Sequence, residues 1–484
     1  GIYMVNSIEY NDLSFNIIEE KISDFLCEIG SEILRKVLEN IDDELFKNRD
    51  KSIYRYKEKR ECSINTCFGN ITYNRRYYKE KLNRNESRAM FLLDEVLDID
   101  ILGRSTIKHI VDLAIEAEAE SFREVSKEND NLMNGSPSHQ TIKNYVSSVG
   151  KLLEKAEMDR VQKYLNDELK GEKQAEILFE EKDGLFISIQ GEKHKKEIKL
   201  AKVYEGWQPE TVGSKRYKTI NPLYFAGYHK PEEFDAIINS GIAQIYDMDY
   251  LKTKILNGDG ADWISNEIEM DASVQYQLDL FHIYQKATRK ISNLDDRKKI
   301  KKLIKDKKFI QLVDECKKLY KDEADEKEKE KLKEVYNYYE NNKDALVRYM
   351  DRENFNLETD QELRDLGTME GSVHNTLATR MKGHGLSWST TGANAMAKLL
   401  CLKHSKIDLL SEIESITKRK ISMNIEYHVK NELDNELKKA KKDINDAVRS
   451  ILYEKTSKFS NKESHIRVFD NKMTQLFRAL RSLL

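Results

Sequence analysis

A chain of 484 residues is too long for one ordinary hydrophobic core, so several domains are expected. Apolar residues at 39%, charged residues at 35% and only 4 prolines exclude a disordered chain and point to a helix-rich, heavily solvated protein. A net charge of −3 excludes no partner, because nucleic-acid affinity arises from local Lys and Arg clusters rather than from the whole chain. The sequence has no apolar run of membrane-spanning length and no charged-then-apolar leader, which argues against insertion and secretion. Cys27, Cys62, Cys67, Cys316 and Cys401 are scattered without Cys-x-x-Cys or zinc-like spacing, so a reducing cytoplasm is the expected compartment.

Near the N-terminus Ile18, Ile22, Phe25, Leu26, Ile29, Ile33, Leu34, Val37 and Leu38 recur at helical spacing and predict one or two amphipathic helices. Residues 62–78 hold two β-prone runs around Gly69 and Asn70, the pattern of a hairpin. Its second strand mixes Arg75, Arg76 and Lys79 with Tyr73, Tyr77 and Tyr78, a composition suited to DNA-backbone contact and equally to a charge-blunted edge strand. Further on, Ile107, Ile110, Val111, Leu113 and Ala114 share a helical face. A break at 134–138 then leads to a short helix from His139, with Ser136 or Ser138 as cap and Pro137 in or just before its first turn. Helix, polar turn and short helix with Gln140, Thr141, Lys143 and Asn144 near its start match a helix-turn-helix DNA reader.

Residues 175–264 read as mixed α/β, with strands at 176–190, 197–207 and 222–229, a helix at 232–246 and a strand at 253–258. A further apolar run at 276–283 predicts another strand. Three strands, a helix, a strand, a helix and a strand is the element order of the ribonuclease-H-like fold. Residues 284–365 form a Lys- and Glu-rich helical block without strand signal, which reads as an insertion. Its Lys-rich run at 298–308 suits a solvated face or a DNA contact. The end of the chain is helical, with basic stretches at 418–420 and 438–442. The predicted fold is an α/β catalytic core with a ribonuclease-H-like mixed sheet, a large all-α insertion and mostly α-helical N- and C-terminal regions. The predicted divisions are 1–100 (helices and hairpin), 101–170 (helix-turn-helix-like region), 171–283 (first part of the core), 284–365 (insertion), 366–410 (second part of the core) and 411–484 (C-terminal helices).

Three acids stand out in that layout. Asp183 lies on the first, central strand, Asp259 ends the fourth, and Glu370 opens a helix beyond the insertion. Phosphodiester cleavage needs an activated attacking oxygen and a stabilised leaving oxygen, and two Mg²⁺ ions held by a few carboxylates supply both. The competing reading is that they are surface or turn acids, since the chain has 85 Asp and Glu residues. The stretch at 257–262 is no calcium loop, because Ala261 and Asp262 stand where such a loop needs an oxygen ligand and then a glycine.

Six segments carry a resemblance: Glu-Lys-Asp-Gly-Leu at 181–185, Lys-Val-Tyr-Glu-Gly-Trp at 202–207, Gly-Asp-Gly-Ala-Asp-Trp at 258–263, Gln-Leu-Asp-Leu-Phe-His at 277–282, Gly-Thr-Met-Glu-Gly at 367–371 and Gly-Leu-Ser-Trp at 385–388. In this order the chain resembles bacterial insertion-sequence transposases of the Lre type, long catalogued as an uncharacterised protein family and more distantly similar to Mutator-like Asp-Asp-Glu transposases. The likeness covers nearly the whole chain. It implies Asp183, Asp259 and Glu370 as the catalytic and metal-binding set, two Mg²⁺ ions with Mn²⁺ as a substitute, and cleavage followed by 3′-hydroxyl strand transfer. It further implies double-stranded DNA as partner, both terminal inverted repeats and target, a homodimer or higher multimer on DNA, no membrane, and a bacterial cytoplasmic, nucleoid-associated location. The alternatives are a ribonuclease-H-fold nuclease without transposition and a domesticated DNA-binding protein.

Asp279 and His282 form an Asp-x-x-His pair where Mutator-like relatives often carry Cys-x-x-His. The resemblance makes the pair active-site support, while a buried hydrogen bond holding the strand is the plainer reading. Asp in place of Cys removes a soft ligand and speaks against zinc. His374, four residues after Glu370, shares its helical face and suits a contact to the scissile phosphate or simple helix packing. Arg380, Lys382 and His384 suit a grip on DNA backbone or a solvated loop, and Trp207, Trp263 and Trp388 are expected to pack in cores.

Overall fold

The structure, a computed structural model, describes residues 15–83, 86–99, 102–132, 137–264, 273–353, 355, 359, 361–383, 385–417, 430–431, 434–439 and 441–442. It separates into two compact units, Gly1–Tyr145 with Thr417–Leu484, and Val146–Ile416. Among the described residues no helix is long and apolar enough to cross a membrane.

In the first unit a single long helix, α1 (Phe15–Asn48), lies on an antiparallel sheet of β1 (Tyr54–Thr66), β2 (Gly69–Lys81) and β3 (Ser87–Phe91). Val37, Leu38, Ile41 and Leu45 recur every three to four residues, so one stripe of α1 meets Ile64, Ile71, Tyr73 and Tyr78 of the sheet. Leu92 and Leu93 of the short helix α2 (Leu92–Leu97) close that core. The hairpin expected around Gly69 and Asn70 is present, but its turn is Cys67 and Phe68, since Thr66 pairs with Gly69. Thr66 sets the turn: its Oγ1 accepts from the Phe68 amide at 3.0 Å and donates to the Gly69 carbonyl at 2.8 Å. Gly69, at φ +101°, supplies a backbone conformation that other residues rarely adopt.

Helices α3 (Ile107–Glu116), α4 (Phe122–Leu132) and α5 (His139–Leu165) follow. Ile110, Val111, Leu113 and Ala114 are buried as their spacing predicted. Ser138 is the cap of α5, its Oγ accepting from the Thr141 amide at 3.2 Å. Contrary to the short helix expected there, α5 runs for 27 residues, because no proline interrupts it before Leu165 and Gly150 is accommodated within it. The division between the two units falls inside it.

The second unit holds a five-stranded sheet of β4 (Ile177–Ile187), β5 (Lys196–Tyr204), β8 (Leu223–Gly227), β9 (Thr253–Gly258) and β10 (Val274–Leu278), with a separate ribbon of β6 (Trp207–Pro209) and β7 (Tyr217–Thr219). The order is β10-β9-β4-β5-β8. β4, β5 and β8 are antiparallel neighbours, whereas β9 and β10 run parallel to β4. Central β4 is buried along nearly all its length, as a strand covered on both faces must be. One face packs Leu178, Ala201 and Val203 under Phe234, Ile237, Ile238 and Ile242 of α6 (Pro231–Ile245). The other packs Ile177, Phe179, Tyr204 and Ile255 against Trp207, Tyr349 and Leu366.

The run at 276–283 is not one strand. β10 ends at Leu278, and Asp279 caps α7 (Leu280–Lys290), its carboxylate accepting from the Phe281 amide. The apolar alternation of Tyr276, Leu278 and Leu280 hides this switch, while Ile283 and Ala287 keep the helical spacing and are buried. The helical block therefore begins at Leu280: α7 is followed by α8 (Leu294–Lys305), α9 (Phe309–Asp322), α10 (Glu326–Asn341) and the short α11 (Lys343–Leu346). Their core of Ile300, Leu312, Cys316, Val335 and Tyr339 is continuous with Leu256, Val274 and Leu278 of the sheet. Buried Arg348 donates to the Leu278 carbonyl at 2.5 Å and fixes the return of the chain.

After that return come α12 (Met369–Val373), a π-helical turn at His374–Ala378, a last turn at Thr379–Met381, α13 (Thr390–His404) and α14 (Leu409–Thr417). α12 packs on β4 and β5, and α13 on β8. The basic stretch at 418–420, Ser136 and His384 lie outside the described residues; of the stretch at 438–442, all but residue 440 is helical.

Candidate metal centre

The sheet brings three acids to one end of its parallel strands. β4 and β9 pair from Ile177 and Thr253 to Glu181 and Asn257, and Asp183 and Asp259 lie two residues beyond that last pair. Asp279 likewise follows β10 directly. The carboxyl ends of parallel strands open a crevice there, since the chain leaves the sheet in different directions.

One ligand atom each of Asp183, Asp259 and His282 lies within 4.8 Å of the others, and all three side chains are partly exposed. Asp183 Oδ1 accepts from the Gly184 amide at 2.7 Å, and Asp259 Oδ1 from the Ala261 amide at 2.9 Å, so each carboxylate keeps a second oxygen for a ligand. Gly260, at φ +91°, makes the turn after Asp259. Asp279 is 2% exposed and holds His282 Nδ1 at 3.1 Å. A carboxylate on one ring nitrogen fixes the imidazole and leaves the other as donor, the usual support of a metal-binding histidine.

Electrostatics mark the cluster as short of positive charge. Burial pushes the Asp183 carboxyl up to about 6, the Asp259 and Asp279 carboxylates push the same way, and the Gly184 amide and His282 only partly oppose them. Burial alone would lower the His282 pKa, but its bond to Asp279 and the charges of Asp279, Asp183 and Asp259 outweigh it and raise the value. Two carboxylates and an imidazole fit a divalent cation: the oxygens suit Mg²⁺, and the imidazole nitrogen suits Mn²⁺ better than Mg²⁺.

Glu370 is not in this cluster. It is exposed near the start of α12, and His374, one turn on, is exposed at the start of the π-helical turn. Two residues that the sequence did not single out adjoin the cluster. Glu197 on β5 meets the position a Cβ would take at Gly184, and burial followed by Asp259 raises its pKa. Tyr338 of α10 donates its hydroxyl to the Asp259 carbonyl at 2.8 Å, so the helical block braces the turn that carries Asp259. A Glu alternating outward on a strand was readable as a signal for the first. Nothing in the sequence pointed to the second.

The expected DNA contacts divide. Arg75 is paired with Asp94 and stacked on Phe91, and Arg76 is 9% exposed, paired with Asp42 and Asp43 at 2.6 Å each. Both guanidinium groups are ion-paired within the first unit, while Lys79 on the same strand is exposed. Gln140 and Asn144 are exposed and bonded to each other, and Thr141 and Lys143 are half-buried. Arg380 sits 5.0 Å from the Trp388 ring and Lys382 is exposed. Trp207 and Trp388 are buried, and Trp263 is half-buried against Phe234, as packing residues should be.

This layout has relatives. The family described as "Uncharacterised protein family (UPF0236)" matches residues 8–419. The chain belongs to the UPF0236 family. A UPF0236 protein of Caldanaerobacter subterraneus subsp. tengcongensis, TTE2489, is 27% identical over 477 residues, covering 96% of this chain and 91% of its own. A second from that strain is 26% identical over 486 residues, 98% of this chain and 92% of its own, and its name joins designations from TTE0033 to TTE2212. One from Streptococcus gallolyticus, named for the vanSb 3' region, is 24% identical over 400 residues, 79% and 81% of the two chains. The matched span contains Asp183, Asp259 and His282.

Proposed function

We propose that this UPF0236 protein is a metal-dependent DNA transposase of an insertion sequence, with a ribonuclease-H-like core and an Asp-Asp-Glu site. What carries the reading is the meeting of Asp183, on β4 just past its last pair with β9, and Asp259, just past the end of β9, with His282 within 4.8 Å. The sheet order, with three antiparallel strands followed by two parallel to the first, supports the ribonuclease-H-like core. The relative whose name joins many locus designations in one strain supports a repeated, mobile gene.

Bound at this site, two Mg²⁺ ions, or Mn²⁺ in their place, would activate the attacking oxygen and stabilise the leaving one. Asp183 and Asp259 would hold the cations, Asp279 would orient His282, and Glu370 would complete one coordination sphere. Water attacks phosphorus, the strand's 3′ oxygen leaves and takes up a proton, and the freed 3′ hydroxyl attacks a target phosphodiester. Each step forms one P–O bond and breaks one, so no covalent enzyme intermediate is needed. The start of α5, with Gln140, Thr141, Lys143 and Asn144, would read the terminal repeats, and Lys79, Arg380 and Lys382 would contact backbone, with two or more copies pairing the element ends.

Purified protein with Mn²⁺ and a labelled element end should cut and join DNA, and Asp183→Asn, Asp259→Asn and Glu370→Gln should each abolish both. Joining that survives all three substitutions would overturn the site. A second reading, a DNA-binding protein without catalysis, draws on Glu370 standing outside the cluster. Binding of element ends without cleavage in any divalent cation would favour it.

A further inference from the structure

Behind the three acids lies a second row of polar side chains, each two residues earlier: Glu181 before Asp183, Asn257 before Asp259 and Thr368 before Glu370. Residues two apart on a strand share a face, and β4 pairs Glu181 directly with Asn257 on β9. Glu181 is fully buried, and five donors converge on its carboxylate. Tyr204 Oη donates at 2.9 Å, Asn257 Nδ2 at 3.3 Å, the Gly367 amide at 3.1 Å and the Thr368 amide at 3.0 Å, and the Thr368 hydroxyl adds a short bond. Buried Lys202 donates to Thr368 Oγ1 at 3.0 Å and to Ser372 Oγ at 3.3 Å, so it balances the carboxylate through the same threonine. The row continues through Gln277, two residues before Asp279, which donates to Asn257 Oδ1 at 3.3 Å.

Burying a carboxylate is costly unless hydrogen bonds compensate, and an apolar side chain would fill the same space more cheaply. What an apolar side chain cannot do is fix three chain segments in register. The donors to Glu181 come from β5, from β9 and from the segment that starts α12, while β4 itself carries Asp183. We propose that Glu181 is the positioning residue of this site: by holding Gly367 and Thr368 it fixes where the helix of Glu370 begins, so that Glu370 is within reach of a cation on Asp183 and Asp259. This rests on the metal-site reading of those acids.

The test uses the whole chain with Mn²⁺ and no DNA. Glu181→Gln keeps the shape but turns one acceptor into a donor facing donors, and amide exchange at Gly367 and Thr368 should accelerate at least about tenfold. Amides of β4 and β9 should keep their protection. Mn²⁺ binding should weaken as it does in Glu370→Gln, and the double variant should be no worse than Glu370→Gln alone. Thr368→Val should reproduce the loss and Thr368→Ser should restore binding, which keeps the test decisive if Glu181→Gln fails to fold. Unchanged exchange in Glu181→Gln, or Mn²⁺ losses that add in the double variant, would overturn the proposal. Failure of the unmodified protein to cut DNA would instead sink the transposase reading, and these Mn²⁺ and exchange results would still decide the role of Glu181.

Discussion

Asp183→Asn is expected to make the cation-free protein more stable at neutral pH and to remove its stabilisation by Mn²⁺. The Asp183 carboxyl titrates at about 6 instead of 3.8, chiefly because burial disfavours its charge. A folded-state pKa raised in this way gives a contribution that is fully present below the unfolded value. It is lost as pH rises through about 6. At about 1.4 kcal/mol per pH unit the charged form costs at most about 3 kcal/mol, and solvent screening at this partly exposed group reduces that to about 1–2 kcal/mol. The asparagine oxygen can still accept from the Gly184 amide, so the substitution removes the charge and little else. In a unit of this size the gain corresponds to a rise of about 3–6 °C in melting temperature at pH 7.5 in chelator. Near pH 4 the two proteins should melt together, because Asp183 is then largely protonated. Added Mn²⁺ should raise the melting temperature of the unmodified protein and not of the variant. A variant that melts below the unmodified protein at pH 7.5 in chelator, or by the same margin at both pH values, would refute the reasoning.

Three other outcomes are expected. Arg76→Met should cost about 3 kcal/mol by leaving Asp42 buried without its partner, measured by denaturant unfolding of the first unit. Lys79→Ala should leave stability unchanged and lower the salt dependence of DNA binding by about one counterion, measured by binding titrations across salt concentrations. Asp279→Asn should weaken Mn²⁺ binding about 10- to 100-fold without removing a ligand, because it frees His282 to turn, and calorimetric titration would read this directly.

The parts of the fold that were legible in the sequence are those governed by local periodicity. β4, β8, α6 and β9 lie where alternation or helical spacing put them, and with them Asp183 at mid-strand and Asp259 at a strand end. The end of β10 was not legible, because a helix cap such as Asp279 reads as one more polar residue until the chain turns. Arg75 and Arg76 show a different limit. Their strand composition was read correctly, but their partners Asp42, Asp43 and Asp94 come from α1 and α2, which sequence spacing cannot bring near. Glu181 was not legible for the same reason: its donors lie as far as Thr368, and only the folded chain gathers them.

The exposure of Glu370 outside the cluster is consistent with charge. Asp183, Asp259 and Asp279 already surround one imidazole, and Glu197 lies beside Gly184. A further carboxylate brought to about 5 Å without a cation would cost about 3 kcal/mol per like charge at an effective dielectric of about 20. Without metal the carboxylate is therefore more stable in water, and exposure at the start of α12 is what repulsion demands. A divalent cation reverses the sign of the local field, and the same side chain then gains by turning inward. Gly367 and Thr368, just before it, are tied to Glu181. Glu370→Gln should accordingly leave the melting temperature in chelator unchanged and reduce the Mn²⁺-induced rise, whereas a loss of stability in chelator would mean that Glu370 already makes a structural contact.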